Sequence, residues 1–298
     1  MRPPCAAARI CVLFSFLDRA QLRPATDGNL LVKTGLPVDF IIIGVVAFAA
    51  SALTFFSGFG LGTLLLPAFA LFFSVPAAVA ATGVVHFLNN LFKGTLIFRT
   101  AHWPTALRFG IPAVPGAIAG ALLLSYLGEM PAFRWSAFGR EFVPSTAGVI
   151  IGAALILLAV LELMPWFQRL AAPPRLVPLG GLLMGFSGGL TGQQGALRSI
   201  FLLKSGLDAP RFIATGTMVS IFVDLSRLPT YFASFTRGTL DLSGREGLLV
   251  AFGTACAFAG AWLGASYFKK ATIEVVRYLV AGLMLLIGAG LVFGVLGA

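Results

Sequence analysis

The sequence predicts an all-α integral membrane protein with about eight transmembrane helices in two homologous repeats, the first and fifth segments broken at glycines. Three observations predict it. Of the 298 residues, 58% are hydrophobic and only 11% are charged, whereas a soluble domain carries about a quarter charged residues to keep its surface wetted. The apolar residues fall into runs long enough to cross a hydrocarbon core of roughly 30 Å, which takes about 20 helical residues. One series of landmarks also occurs twice along the chain, in the same order.

Backbone groups in lipid must bond within their own segment, so each apolar run is read as helix. The first runs from Val38 to about Phe73 and is too long for one span. Three single spans follow, from Pro76 to Phe98, Pro104 to Leu127 and Val143 to Leu163. A polar connector holds Arg169, Pro173, Pro174 and Arg175. The fifth run, Leu176 to Leu203, is again overlong, and Pro210 to Phe235, Leu248 to Phe268 and Ile273 to Val295 complete the set. Residues 1–37 are basic, but Arg9 interrupts their one apolar stretch and Asp18-Arg19 closes it early. That is a poor signal peptide, and the segment is expected to be a disordered leader or the result of a start site placed too far upstream.

The repeats divide the remainder into 38–165 and 174–298, with 166–173 as connector. Phe56-Ser57-Gly58-Phe59-Gly60 opens a break in the first half and Phe186-Ser187-Gly188-Gly189 opens one in the second. Ala81-Thr82-Gly83 and Ala214-Thr215-Gly216 follow, and then Gly116-Ala117-Ile118-Ala119-Gly120 answers Gly260-Ala261-Trp262-Leu263-Gly264. Internal repeats with interrupted helices at matching positions point to a secondary transporter whose substrate site lies at the repeat interface. Four spans per half would make the halves parallel, and three spans plus a re-entrant segment would make them inverted. Lys and Arg occur in connectors on both sides and do not decide between the two.

Net charge is +10, from 21 Lys+Arg against 11 Asp+Glu. The charges sit mostly in connectors, where they anchor a protein to the lipid surface, so no nucleic-acid partner is expected. An anionic substrate suits the same balance. Cys5, Cys11 and Cys256 have neither metal nor disulfide spacing, and no metal or cofactor is expected. No nucleophile–base pair emerges either, so the chain is not read as an enzyme.

Candidate substrate-lining residues come from the breaks and from polar stripes. Gly58, Gly60, Gly62 and Thr63 in the first break, and Gly188, Gly189, Gln193 and Gln194 in the second, combine glycine's close backbone approach with polar donors. A helix restarting after such a break presents free N–H groups and a positive dipole end, which suits an anion. On the second span His86, Asn89, Asn90 and Lys93 recur at helical spacing on one face, and polar groups there face a cavity or another helix. Arg198 is either an oxyanion clamp or an interface anchor. Asp224 and Arg227, three apart on the sixth span, can pair, as a static ion pair or as a gating and coupling element; Ser220 joins their face.

At these residues the chain resembles the TauE/SafE family of sulfite/organosulfonate exporters. The resemblance is carried by the stretch Phe56-Ser57-Gly58-Phe59-Gly60-Leu61-Gly62-Thr63-Leu64-Leu65-Leu66-Pro67, by Ala80 to Lys93, and by Gly185-Phe186-Ser187-Gly188-Gly189, and it covers roughly 38 to 298. It implies about eight spans in two repeats, and substrates such as sulfite, sulfoacetate or a related sulfur anion. Export across a bacterial inner membrane, with a proton or sodium gradient as candidate coupling partner, is the resulting expectation. Several family members carry glycine where Leu61 stands, so a tighter first break is expected here. The alternative reading is a non-transporting scaffold or receptor whose polar stripes only glue helices together.

Overall fold

The computed structural model of the protein describes residues 37–57, 61–128, 130–137, 139–234, 244–267 and 273–296. Ten helices of eight residues or more occur among them. They are α1 Val38–Ser57, α2 Leu61–Ala70, α3 Val75–Ile97, α4 Trp103–Leu127 and α5 Thr146–Leu163, then α6 Val177–Thr191, α7 Gly195–Leu202, α8 Ala209–Ser234, α9 Arg245–Tyr267 and α10 Ile273–Val292. Four stretches are long and apolar enough to cross a membrane: Val75–Thr100, Trp103–Leu127, Thr146–Leu163 and Arg245–Gly264. Together with the apolar composition this makes the chain a multi-pass, all-α membrane protein. Helix α8 is long enough as well, but it carries Arg211, Asp224 and Arg227.

Local chemistry sets several helix starts. Pro76 and Pro104 lie in the first turns of α3 and α4, where a missing N–H costs no hydrogen bond. Ser145 caps α5 by accepting from Gly148 N at 3.0 Å. Between α4 and α5 an unexpected hairpin pairs β1 Trp135–Ala137 with β2 Arg140–Phe142. Trp135 stacks on Phe142 with ring centroids 4.7 Å apart and donates to Phe293 O at 2.9 Å. Strands of three residues are too short to leave an alternating pattern in the sequence.

The second interruption falls later than the glycine pair suggested. Helix α6 continues through Gly188 and Gly189 and ends at Thr191; Gly192 adopts the left-handed conformation (φ 77°) that glycine takes without strain. Gln193 and Gln194 bridge to α7. Gly188 and Gly189 stay helical because α6 lies almost backbone to backbone against α4. A Cβ at Gly181, Gly185 or Gly189 would run into the carbonyl oxygen of Phe109, Ala113 or Ala117. One at Gly116 or Gly120 would strike that of Leu182 or Phe186. Glycine at a helix contact permits this approach, which in lipid replaces the hydrophobic drive for association. Gly58 and Gly60, at the first expected break, lie outside the described residues, as does the leader before Pro37.

Contacts also give the helix directions. Residue numbers rise together between α4 and α6, and between α1 and α9, where Gly260 abuts Phe48 O, Gly264 abuts Ala52 O, and Arg245 pairs with Asp39 at 2.7 Å. They rise together between α3 and α9 too, from Val85 beside Gly253 to Phe92 stacked on Phe258. Numbers run opposite between α3 and α8, where Gly83 meets Leu228 and Gly94 meets Met218. The same holds for α5 and α10, where Gly148 meets Leu291 and Gly152 meets Gly288. Since α1 and α3 both run parallel to α9, they run parallel to each other. The ten-residue α2, about 15 Å long at 1.5 Å per residue, lies on the returning chain between them.

Candidate functional site

The polar residues of α3, α8 and the α6–α7 link meet in the bundle interior. At their centre Asp224, fully buried, is contacted from three directions. Arg227 Nε donates to its Oδ1 at 2.9 Å, one turn along α8. Gln194 Nε2 donates to the same oxygen at 3.0 Å. His86 Nδ1, from α3, donates to Oδ2 at 2.6 Å. With the proton on Nδ1, His86 Nε2 is left to accept from Asn90 Nδ2 at 3.3 Å. An ionised carboxylate taken out of water costs several kcal/mol unless paired and hydrogen-bonded; here both oxygens are engaged.

Arg227 is itself fully buried and ties α8 to α6, donating through Nη1 to Gly188 O at 2.8 Å. One turn on, the Tyr231 hydroxyl donates to Gly189 O. The carbonyls of the glycine pair thus receive α8, while the Cα face of Gly189 receives α4 and that of Gly188 receives Gln194 and Val223. Tyr231 was not a sequence candidate, because a lone tyrosine near a helix end carries no spacing signal.

The start of α2 lies against the α6–α7 link. Thr63 Oγ1, in the first turn of α2, donates to Gln193 Oε1 at 3.0 Å across 130 residues of sequence. Gly62 lies against Gly192, whose carbonyl oxygen would stand 3.0 Å from a Cβ placed there. Thr82, buried on α3 and also missed in the sequence, lies beside Gly62.

The α3 stripe divides between partners. His86 and Asn90 face Asp224, whereas Asn89 faces α1 and α9. With its amide turned to satisfy both ends, Asn89 donates to Ala257 O at 3.2 Å and accepts from Lys93 Nζ at 3.3 Å and from Ser51 Oγ at 3.0 Å. Lys93 is buried, so it does not reach the interface. Arg198, in the first turn of α7, turns inward to α8 and donates to Ser220 Oγ at 2.6 Å and to Gly216 O at 3.1 Å. Gly216 leaves room for that guanidinium, since a Cβ there would come within 3.0 Å of Arg198 Nε. Among the described residues the cluster gathers three basic side chains, Lys93, Arg198 and Arg227, around the carboxylate of Asp224. A small anion with several acceptor oxygens would find donors there on several sides. No group of three His, Cys, Asp or Glu among the described residues could hold a metal ion.

Of the sequence candidates, His86, Asn90, Gln194, Asp224 and Arg227 form one hydrogen-bonded network, with Thr63, Gln193 and Gly62 beside it. Arg198 and Lys93 border it, and Asn89 serves a different helix contact. The chain matches no curated protein and no solved structure. A family model, sulfite exporter TauE/SafE, matches residues 43–291, far more than half of the chain. Members of that family are membrane transporters rather than enzymes. The chain belongs to the TauE/SafE family of sulfite exporters.

Proposed function

We propose that the protein is a secondary transporter that exports a small sulfur anion, sulfite or an organosulfonate, across a bacterial inner membrane. The observation that carries this reading is the buried cluster in which the basic side chains of Lys93, Arg198 and Arg227 gather around Asp224, where the start of α2 meets the α6–α7 link. Charged groups inside a membrane are expensive and mark pathways far more often than they serve packing alone. A scaffold would need neither this gathering of buried basic side chains nor its position beside the α6–α7 link.

The proposed architecture is eight spans in two repeats, α1–α5 and α6–α10. Helix packing supports it, because exchanging the halves carries each main contact onto another. The contact of α1 with α9 becomes that of α6 with α4, and α3 with α9 becomes α8 with α4; α3 with α8 and α5 with α10 map onto themselves. Two helices related by a twofold axis lying across them must run antiparallel, and α3–α8 and α5–α10 do so. The halves are then inverted, with α2 and α7 as short returning segments and the site on the pseudo-twofold axis. This is the plan in which one half rocks against the other to expose a midplane site alternately.

Asp224 and His86 are the proposed coupling element and Arg227 its fixed counter-charge; Gln193, Gln194, Thr63, Asn90, Lys93 and Arg198 face the cargo. The test is solid-supported-membrane recording from proteoliposomes, presenting sulfite, thiosulfate and sulfonates in turn, with and without a proton or sodium gradient. Sulfite or a sulfonate should produce currents that the coupling gradient alters. Absence of current and of tracer movement for all three classes would remove the sulfur-anion reading.

A further inference from the structure

We propose that the cargo carries a polar hydrogen beside its anionic group and that Gln194 selects for it. The inference rests on the transport reading above and narrows its substrate class. The orientation of the Gln194 amide is fixed, because only its NH2 end can donate to Asp224 Oδ1. The carbonyl end, Oε1, is left for another partner. The residue is 2% exposed and this oxygen has no donor among the described residues. Buried carbonyl oxygens in native proteins nearly always have a donor, so each exception calls for an account.

The position of this oxygen supplies one. Gln194 immediately precedes the first residue of α7, in the link after Gly192, and Arg198 stands one turn further on. Its neighbour Gln193 engages one end of its amide, through Thr63, and keeps the other unpartnered. Two adjacent buried amides thus each hold a spare polar end beside a cluster of basic side chains. An anionic cargo there turns its oxygens towards the donors of Arg198, Arg227 and Lys93. The lone pairs of Gln194 Oε1 repel a bare oxyanion face but accept from an O–H or N–H. The matching class is a singly protonated oxyanion such as hydrogensulfite, or a sulfonate bearing a hydroxyl or ammonium group. Anions with no polar hydrogen leave the acceptor unpaired on binding, the situation in which hydrogen-bonding sites discriminate most strongly.

The experiment is equilibrium binding of 2-hydroxyethanesulfonate and of ethanesulfonate, which differ by one hydroxyl, to the purified full-length protein in detergent. The hydroxylated anion is expected to bind at least about tenfold more tightly, and Gln194→Met to abolish the difference. Equal affinities in the wild-type protein overturn the proposal. Failure of both sulfonates to bind while sulfite is transported overturns it too. Loss of sulfite transport as well would remove the transport reading itself, so the two failures are distinguishable. The wild-type comparison needs no substitution, and therefore stands even where Gln194→Met loses the bond to Asp224 and does not fold.

Discussion

Asp224 and Arg227 offer the sharpest energetic test, because both are fully buried and Arg227 Nη2 lies 2.8 Å from Asp224 Oδ1. At that separation, with an effective dielectric constant of about 20, their Coulomb attraction is about 6 kcal/mol. Most of it offsets the desolvation of the two ions, so the net value of the pair is far smaller. Removing one partner has a different consequence, since the survivor stays buried without its counter-charge, at a cost of about 3–5 kcal/mol. Asp224→Asn strands the guanidinium against Gly188 O, and Arg227→Gln strands the carboxylate with only His86 and Gln194. The double variant strands neither. It is expected to cost at least about 2 kcal/mol less than the two single costs added together, a coupling well above the roughly 0.5 kcal/mol deviation of independent sites. Reversible unfolding of the four proteins in mixed micelles measures this cycle. Additive costs would refute the claim that the two charges hold each other in the interior.

Three further outcomes follow from the same contacts. Gly185→Leu drives a side chain into the Ala113 carbonyl and should abolish a monodisperse folded protein on size-exclusion chromatography, whereas Gly282→Ala, with open space around it, should elute as wild type. Inverted halves place the equivalent α2–α3 and α7–α8 turns on opposite membrane faces, and parallel halves place them on the same face. Single cysteines at Leu71 and Leu203, in a background freed of Cys5, Cys11 and Cys256, should therefore label from opposite sides of sealed vesicles; labelling from one side would refute the inverted arrangement. Arg198→Gln should lower sulfite flux at least about tenfold, from the loss of a charge-assisted contact, while Lys204→Gln, six residues on and exposed, should leave it unchanged. Equal loss in both would assign Arg198 no special part.

Much of this was legible in the sequence, and the exceptions share a cause. The apolar runs gave helix positions within a few residues, because span length is a property of one segment read alone. The Asp224–Arg227 pair was legible for the same reason, three residues apart on one helix. His86 and Asp224, 138 residues apart, were both flagged as expensive residues in a membrane, yet nothing in the chain said they touch. Gly188 and Gly189 looked like a helix break because glycine weakens an isolated helix. Packing against α4 overrides that propensity and moves the interruption to Gly192, where the positive φ lies. Asn89 and Asn90 look equivalent in sequence, but a 100° step around α3 sends one to α9 and the other to α8. Whether the halves were parallel or inverted depended on α2 turning back, and a ten-residue helix after a kink reads the same in sequence whichever way it runs.

On the proposed function, a sulfur anion crosses the membrane through the buried cluster of Lys93, Arg198, Arg227 and Asp224. Efflux of radiolabelled sulfite from proteoliposomes, comparing wild type with Lys93→Met and with protein-free liposomes, tests it most directly. Efflux is expected well above the protein-free level in wild type and close to that level in the variant, with both proteins equally folded. Efflux at the protein-free level in wild type, or efflux undiminished by Lys93→Met, would contradict it.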